Sequence, residues 1–270
     1  MASLIASPRA AVALGGLIVL LIAERVRPFR PGVESRARRY LINFFIMGSN
    51  ALLLSVLLSG LLIAAYQSLE LEHVGLLTRL GIGPWANVAC TLVFLDGVTY
   101  FWHRAYHGLP LLWRMHRVHH SDRDLDVTTS GRFHLTEMVL SAAFRLTVIA
   151  AWGASLAAVI VFEIVFGLFN QLEHANVQLP EPLEGWARLV FVTPAMHRIH
   201  HSQVVEETNA NYGTIFSCWD RLFGTYRFGA DHRGMVIGLP EYTQPADVTL
   251  GKVLAMPFGP PCGPGHQLGI

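Results

Sequence analysis

The sequence predicts an all-α, multi-pass membrane helix bundle, in which about four to five spanning or re-entrant helices carry a cytoplasmic, histidine-rich helical cap. Two features of the composition predict this fold. Of the 270 residues, 52% are hydrophobic and only 14% are charged, whereas soluble domains carry about 25% charged residues. Thirteen histidines accompany a single lysine, and ten of those histidines fall between residues 103 and 201.

The charge and the cysteines argue against other classes of protein. The formal net charge is +1 and no long basic tract is present, so nucleic acid is not an expected partner. Cys90, Cys218 and Cys262 lie far apart and form no C-x-x-C pair. Neither a disulfide framework nor a thiolate metal site is therefore predicted.

The first two apolar regions predict membrane helices near the N-terminus. Residues 9–23 are long enough for a short span. The alternative is a cleaved signal peptide, but the sequence that follows, ERVRPFRPG, offers no small-residue cleavage site. Residues 41–66 are apolar over a full span length. We expect both segments to be retained helices.

Two further apolar regions follow. Residues 86–102 predict a third span that contains one acid, Asp96. Residues 138–170 are apolar over 33 positions, with interruptions at Arg145 and at the Trp152-Gly153 pair. Two full spans need roughly 40 residues, so this region predicts either one crossing or a short, tilted or re-entrant hairpin bent near Gly153.

The arginines predict the orientation. The link between the first two apolar regions holds Arg25, Arg27, Arg30, Arg36, Arg38 and Arg39. By the positive-inside rule that link is cytoplasmic, and the third span then delivers His103 to the cytoplasmic face. A single crossing at 138–170 would separate the later histidines from the earlier ones. We favour the hairpin, because it returns both sets to one side.

A repeated heptapeptide gives the strongest chemical signal. MHRVHHS at 115–121 returns as MHRIHHS at 196–202, and WHRAYH at 102–107 supplies an H-x-x-x-H pair. On a helix, residues three or four apart share a face, so each motif presents histidines at metal-ligand spacing. The last two histidines of H-x-x-H-H point about 100° apart and can reach two neighbouring ions. Two facing copies predict a dinuclear metal site.

Ten histidines are candidate ligands, which is too many for one tetrahedral zinc site but would nearly fill the positions of two six-coordinate ions and leave room for water or oxygen. Imidazole suits zinc, copper, iron and nickel, so the ligand type does not choose the metal. His134 and His174 are single, so a role as partner of a ligand and an ordinary structural role are both open for them. His73, His232 and His266 are expected to be surface or hydrogen-bonded residues. The candidates are His103, His107, His116, His119, His120, His134, His174, His197, His200 and His201.

Acids near these motifs are expected to hydrogen-bond the liganding imidazoles and to offset the charge of the ions. Asp96 lies seven residues before His103, two turns back on the same helical face. Glu137 and Glu173 flank the two single histidines. An ionisable group within a span is costly and usually functional, which singles out Asp96.

The three motifs, in this order, resemble the fatty acid hydroxylase/sterol desaturase superfamily of integral-membrane, non-haem di-iron oxygenases, and the bacterial members are the most similar. The resemblance covers roughly residues 90–230. One position departs from the family pattern R-x-H-P-x-E, because Leu135 replaces the proline in RFHLTE. Supporting matches are LDGVTYFWHR at 95–104, the R-x-H segment at 132–134, HAN at 174–176, NYG at 211–213 and WDRLFGTY at 219–226.

The resemblance implies that two iron ions activate dioxygen to hydroxylate or desaturate an unactivated C–H bond of a lipid; zinc is possible in the isolated protein. An external electron carrier, a ferredoxin or a cytochrome with its reductase, is implied because the chain has no C-x-x-C-H and no G-x-G-x-x-G motif. The ten histidines are implied as ligands or near-ligands, and Asp96, Glu137, Asn176 and Asn211 as further site residues.

Three regions follow from these patterns: an N-terminal transmembrane region at 1–85, a catalytic region at 86–230, and a Pro- and Gly-rich tail at 231–270 that is expected to be loop or poorly ordered from 240 onwards. A lysine-poor composition rich in alanine, glycine and arginine suggests a GC-rich bacterial gene. A multi-pass helical membrane protein from a bacterium is expected in the inner membrane. Two other functions remain open. The first is a metal transporter or metal sensor, but transporters usually place their ligands near mid-span or in low-complexity histidine tracts, whereas here they occupy fixed motifs at span ends. The second is a zinc hydrolase, which would need only three ligands and an H-E-x-x-H motif that is absent.

Overall fold

The computed structural model describes residues 2–71 and 75–260, with side chains from 9 to 56 and from 75 onwards. Within these ranges the chain is helical, and its only β-type pairings are two isolated bridges. The predicted all-α class is confirmed. His73, Cys262, His266 and the side chains of the predicted span beyond residue 56 lie outside the described residues.

The described part of the chain contains twelve α-helices and three short 3-10 helices. The α-helices are α1 (Ala2–Val26), α2 (Arg36–Leu71), α3 (Leu76–Arg79), α4 (Pro84–Gly108), α5 (Pro110–His120), α6 (Leu135–Trp152), α7 (Leu156–His174), α8 (Glu181–Val190), α9 (Pro194–His200), α10 (Val205–Thr208), α11 (Cys218–Leu222) and α12 (Leu250–Ala255). The 3-10 helices are Val127–Gly131, Pro245–Val248 and Met256–Phe258.

Three of these helices are long and apolar enough to cross a bilayer: α2 over Arg36–Val56, α6 and α7. Large apolar side chains on them face outwards, as lipid-facing positions do; Leu52 and Val56, for example, are 64% and 72% exposed. The predicted spans at 9–23 and 86–102 lie within α1 and α4. That these two helices also cross the membrane stays a prediction.

The hairpin predicted near Gly153 is present. α6 ends at Trp152, and Gly153 adopts a left-handed conformation with φ of 77° that reverses the chain. A Cβ atom at Gly153 would lie 3.0 Å from the backbone of Gly75, so glycine is required both by the turn and by this close approach. Ser155 then caps α7 by accepting a hydrogen bond from the backbone of Ala158. The hairpin returns His174 to the end of the bundle where α6 begins.

A buried polar network joins the first two helices to the loop that follows α5. The Arg39 guanidinium of α2 donates to Asp122 at 2.7 and 2.8 Å and also to Asp126. Glu24 of α1 accepts from the backbone N–H groups of Val127 and Asn176. Because each buried charge has an opposite charge or several donors beside it, the loop is held in one geometry against the bundle.

A second ionic cluster lies within the bundle. Glu163 of α7 contacts Arg145 of α6 at 2.6 Å and Arg9 of α1 at 2.8 Å. The Arg145 guanidinium also lies over the rings of Phe162 and Phe166. The arginine that interrupts the apolar run at 138–170 is therefore paired with an acid on the other arm of the hairpin.

The expectation that the tail is loop from residue 240 is wrong for part of the segment. Two 3-10 helices and α12 form between Pro245 and Phe258. Val248, Val253 and Met256 are buried in a core cluster together with Ile42 and Ile46 of α2. These apolar residues, spaced among the prolines and glycines, order the segment by packing it against α2.

Candidate metal centre

Four helices bring nine of the ten candidate histidines to one end of the bundle. α4 supplies His103 and His107 near its C-terminal end, and α7 ends on His174. α5 supplies His116, His119 and His120, while α9 and the residue after it supply His197, His200 and His201. All but His103, which is partly buried, have at most 3% of their surface exposed.

These nine histidines form two groups, and within each group one ring nitrogen per histidine lies within 4.8 Å of the others. The first group contains His103, His107, His116, His120 and His200, and the second contains His119, His174, His197 and His201. Both groups consist of neutral nitrogen ligands from several elements, which is the donor set of a transition-metal site.

The two copies of the repeated heptapeptide exchange their middle histidines. His116 and His120 belong to the first group, but His119 from the same helix belongs to the second. Correspondingly, His197 and His201 belong to the second group, whereas His200 belongs to the first. The adjacent histidines His119 and His120, like His200 and His201, point about 100° apart on the helix, so each motif contributes to both groups.

Hydrogen bonds orient four of the rings. The Nδ1 atoms of His103, His174 and His200 donate to the backbone carbonyls of Tyr212, Asn170 and Ala210 at 2.9, 2.6 and 2.8 Å. A carbonyl only accepts, so the proton of each neutral ring is on Nδ1 and the lone pair is on Nε2. His116 Nδ1 lies 2.7 Å from a Glu137 carboxylate oxygen. This arrangement directs Nε2 lone pairs into the groups, as metal ligation requires.

The distances between ring nitrogens fit metal ions. The Nε2 atoms of His174 and His119, of His197 and His174, and of His201 and His197 lie 3.0 to 3.1 Å apart, and His103 and His116 lie 3.2 Å apart. Two nitrogens that ligate one ion at about 2.1 Å and at right angles are about 3.0 Å apart.

Several buried ring nitrogens lack a hydrogen-bond partner, including Nε2 of His120 and His200. Burying such groups without a partner is costly, and an ion in each group would satisfy them. The residues present therefore fit two metal ions.

Burial also sets the charge of the imidazoles. Desolvation, followed by the neighbouring histidines, holds the pKa of His119, His120, His200 and His201 well below the ordinary value. The rings are accordingly neutral at physiological pH, the form that binds metal.

Two buried glutamates accompany the groups. Glu137 contacts His116 of the first group, and Glu173 lies 3.7 Å from His197 Nδ1 and 3.8 Å from His174 Nδ1 in the second. Each group of neutral ligands thus has one carboxylate beside it, which can offset part of the charge of an ion.

His134 is the candidate ligand that the fold does not bring to either group. It caps the N-terminus of α6, where its Nδ1 accepts from the backbone of Thr136, and its Nε2 contacts the Leu254 carbonyl at 3.2 Å. Both ring nitrogens therefore have partners in the protein. Leu135, which departs from the family pattern, is the first residue of α6.

Asp96 contacts a turn of the backbone and not a histidine. Its carboxylate accepts from the backbone N–H groups of Ile215 and Phe216 at 3.1 Å each and from the Trp219 indole at 2.8 Å. These hydrogen bonds stabilise the turn that follows Tyr212, and the Tyr212 carbonyl orients His103. The side chain thus supports the site through that turn.

Asn176 and Asn211 also act on the backbone. Asn176 exchanges two hydrogen bonds with the backbone of Arg30. Asn211 has a positive φ of 54° and donates to the carbonyls of Met196 and Arg227. Asparagine tolerates this left-handed conformation better than most residues. Both side chains fix segments that flank the histidines.

The carbonyls of Asn170, Ala210 and Tyr212 are site groups that sequence reasoning missed. Backbone acceptors carry no side-chain signal, and only the NYG stretch at 211–213 pointed to part of this loop. The loop is folded by Asp220, which accepts from the backbone of Tyr212 and Gly213 at 2.8 and 2.9 Å. A second buried aspartate therefore positions the carbonyl that orients His103.

Comparison with protein families matches residues 88–225, which is 138 of the 270 residues, to the family described as fatty acid hydroxylase. Among curated relatives, an ornithine lipid hydroxylase from Rhizobium tropici is 36% identical over 52% of this chain and 41% of its own length. An alkylglycerol monooxygenase from Danio rerio is 34% identical over 53% of this chain and 32% of its own.

A more distant relative, cholesterol 25-hydroxylase from Rattus norvegicus, is 24% identical over 57% of this chain and 51% of its own. The similarity thus spans about a third to a half of these relatives. No solved structure matches the chain.

Proposed function

Because the chain belongs to the fatty acid hydroxylase family, we propose that it is a membrane-embedded monooxygenase that hydroxylates a lipid with dioxygen at two iron ions. The observation that carries the proposal is the exchange of His119 and His200 between the two histidine groups. A single-ion site would not need two interleaved groups of five and four imidazoles, so this arrangement favours a dinuclear enzyme over a zinc hydrolase.

In this proposal the two groups hold the ions, and the ions, when bound, supply the dioxygen chemistry needed to oxidise an unactivated C–H bond. The protein's own contribution is orientation and exclusion of water. The carbonyls of Tyr212, Asn170 and Ala210 keep three Nδ1 atoms protonated, so the opposite nitrogens face the ions. Glu137 and Glu173 supply negative charge to an otherwise neutral ligand set.

We further propose hydroxylation over desaturation, because the relatives described above are named as hydroxylases and monooxygenases. Their names mention ornithine lipid, alkylglycerol and cholesterol, which have in common a long apolar body. A bilayer lipid with such a body is the substrate class we infer for this chain. The reductant would be a separate ferredoxin or cytochrome with its reductase.

The inferred location is a bacterial inner membrane with the metal centre facing the cytoplasm. The arginine-rich link between α1 and α2 lies at the metal end of the bundle, where Arg39 contacts Asp122, two residues after His120. Positive charge favours the cytoplasmic side. Reporter fusions after residues 30 and 205 should therefore both read cytoplasmic, and a disagreement between them would contradict this orientation.

The decisive experiment combines metal analysis with isotope labelling. Purified protein should contain close to two irons per chain, measured beside zinc, manganese and copper. Membranes that express the chain with a reductant should incorporate one atom of ¹⁸O from ¹⁸O₂ into a lipid, and membranes that express His200→Ala should not. Iron-loaded, folded protein that never labels a lipid would overturn the proposed activity, and folded protein that binds one ion only would overturn the dinuclear centre.

A further inference from the structure

Helix α8 exposes its apolar side chains and buries a charged one. Its residues Leu183, Trp186 and Val190 are 54%, 74% and 50% exposed, whereas Glu184 is buried with 1% exposed. At 100° per residue the three apolar side chains fall within about 60° of one another, and Glu184 lies on the other side of the helix. A surface helix of a soluble domain would show the reverse orientation.

The buried polar side of α8 has partners in the protein. Glu184 accepts a hydrogen bond from the Thr193 hydroxyl at 2.6 Å, and the Arg188 guanidinium lies 4.0 Å from the centre of the Phe228 ring. The Arg188 carbonyl accepts from the Ser217 hydroxyl and from Arg221. These contacts fix the rotation of α8 about its axis, so its apolar side is held outwards.

Helix α11, which is joined to α8 through the Arg188 carbonyl, and the residue after it carry further exposed apolar side chains. Leu222 is 70% exposed and Phe223 is 39% exposed. The Phe223 ring lies 4.8 Å from that of Phe101 on α4, which is itself 48% exposed. The surface, defined here as Leu183, Trp186, Leu189, Val190, Leu222 and Phe223, is therefore continuous with the outer face of α4.

Contacts with α7 and α4 show how far this surface lies from the metal end of the bundle, measured along those helices. Phe191, which follows α8, packs 5.3 Å from Phe169 of α7, and Phe169 lies five residues before His174. At 1.5 Å per residue this is about 7.5 Å into the bundle from the metal end. Trp219 of α11 reaches Asp96, seven residues before His103 and hence about 10.5 Å deep.

We propose that α8 and α11 lie in the membrane interface, with their exposed apolar side chains in contact with lipid around the metal end of the bundle. An amphipathic helix that buries its apolar face about 5–10 Å into the headgroup and acyl boundary is the known form of such an element. The surface contacts α4 and α7, and α7 is long and apolar enough to cross a bilayer, so the occupant we infer is the bilayer. Neither helix is among the candidate spans.

This placement also explains Asp96. Backbone that is not helical is tolerated at membrane depth only where its polar groups are satisfied by the protein. The turn before α11 descends to that depth, and Asp96 accepts from two of its N–H groups and from the Trp219 indole. The acid within α4 is thus the group that allows α11 to lie beside the bundle in lipid.

The test measures the surroundings of single side chains in the full-length protein, and it does not depend on enzymatic activity. Cys90, Cys218 and Cys262 are replaced by serine, and a nitroxide is attached to W186C or L183C in phosphatidylcholine nanodiscs. Collision with dissolved oxygen, which concentrates in lipid, is compared with collision with a water-soluble nickel chelate. L52C on α2 serves as the lipid-facing reference, and E206C on α10 as the water-facing reference.

The ratio of oxygen to nickel collision at Trp186 and Leu183 should be close to that at Leu52 and several-fold above that at Glu206. A ratio equal to that of Glu206 would show that α8 is in water and would overturn the proposal. Low collision with both reagents would show that protein covers the surface, and would overturn it as well. A variant that does not fold is replaced by Leu222→Cys on α11, for which the same outcomes apply.

Discussion

His174 Nε2 lies 3.0 Å from His197 Nε2, although the two residues come from α7 and α9 and are 23 positions apart. The contact places the single histidine of the HAN stretch within the second metal group. His134, the other single histidine, is bound instead to Thr136 and Leu254. Both residues are single histidines in the sequence, but only His174 belongs to a metal group.

We expect His174→Ala to lower the metal content to about one ion per chain, because the second group falls from four imidazoles to three. His134→Ala should keep both ions. It removes a helix cap, which costs about 1 kcal/mol, so a small drop in thermal stability is its expected effect. Elemental analysis of the two purified variants, run side by side, measures the difference. Equal metal loss in both would mean that His134 is a ligand.

The carboxylate of Glu137 should govern how firmly the first group holds its ion. Glu137→Leu leaves His116 Nδ1 without its partner at 2.7 Å, and loss of such a partner typically weakens metal binding 10–100-fold. Glu137→Gln can still accept a hydrogen bond from that ring and should lose less. Competition with a chelator gives the affinities. Glu184→Gln, a buried glutamate that contacts Thr193, is the matched control and should bind metal normally.

The sequence predicted that each H-x-x-H-H motif can reach two neighbouring ions, because its last two histidines point about 100° apart on a helix. Which histidines share a group depends on how α4, α5, α7 and α9 pack together. The sequence could not locate His134, since whether a single histidine reaches a distant group depends on where α6 begins. It also could not assign Asp96. Spacing placed that carboxylate on the face of His103, whereas its hydrogen bonds go to the turn at Ile215–Trp219, more than 110 residues later.

The C-terminal tail was also mispredicted, because its order depends on contacts that are distant in the sequence. Proline and glycine content indicated loop, but Val253 is fully buried against α2 residues such as Ile46. Local composition reports the intrinsic preference of a segment, and tertiary packing overrides it where a few apolar residues find a partner surface. That partner is more than 200 residues away in the chain, so no local window could have revealed it.

Removing the Asp96 carboxylate should lower the stability of the protein strongly, because three buried donors lose their acceptor at once. Asp96→Leu leaves the backbone N–H groups of Ile215 and Phe216 and the Trp219 indole without acceptors. Each unsatisfied buried donor costs about 1–3 kcal/mol, so we expect a total loss of about 3 kcal/mol or more. The melting temperature in detergent measures it. Trp219→Phe removes one of the three donors and should have a smaller effect; a larger effect of Trp219→Phe would contradict this account.

The ionic cluster of Glu163, Arg145 and Arg9 gives the last prediction. Glu163→Leu leaves Arg145, on the other arm of the hairpin, without its opposite charge. Breaking a fully buried pair in this way typically costs about 3–5 kcal/mol, and because the Arg145 side chain is 28% exposed we expect a loss below that range. The double variant Glu163→Leu with Arg145→Met removes both charges and should recover much of that loss, because Arg9 is 57% exposed and can reorient. Lys252→Met, from an exposed pair at 4.0 Å, should change the melting temperature little. If the double variant melts as low as Glu163→Leu alone, then packing at position 163, and not the uncompensated arginine, accounts for the loss.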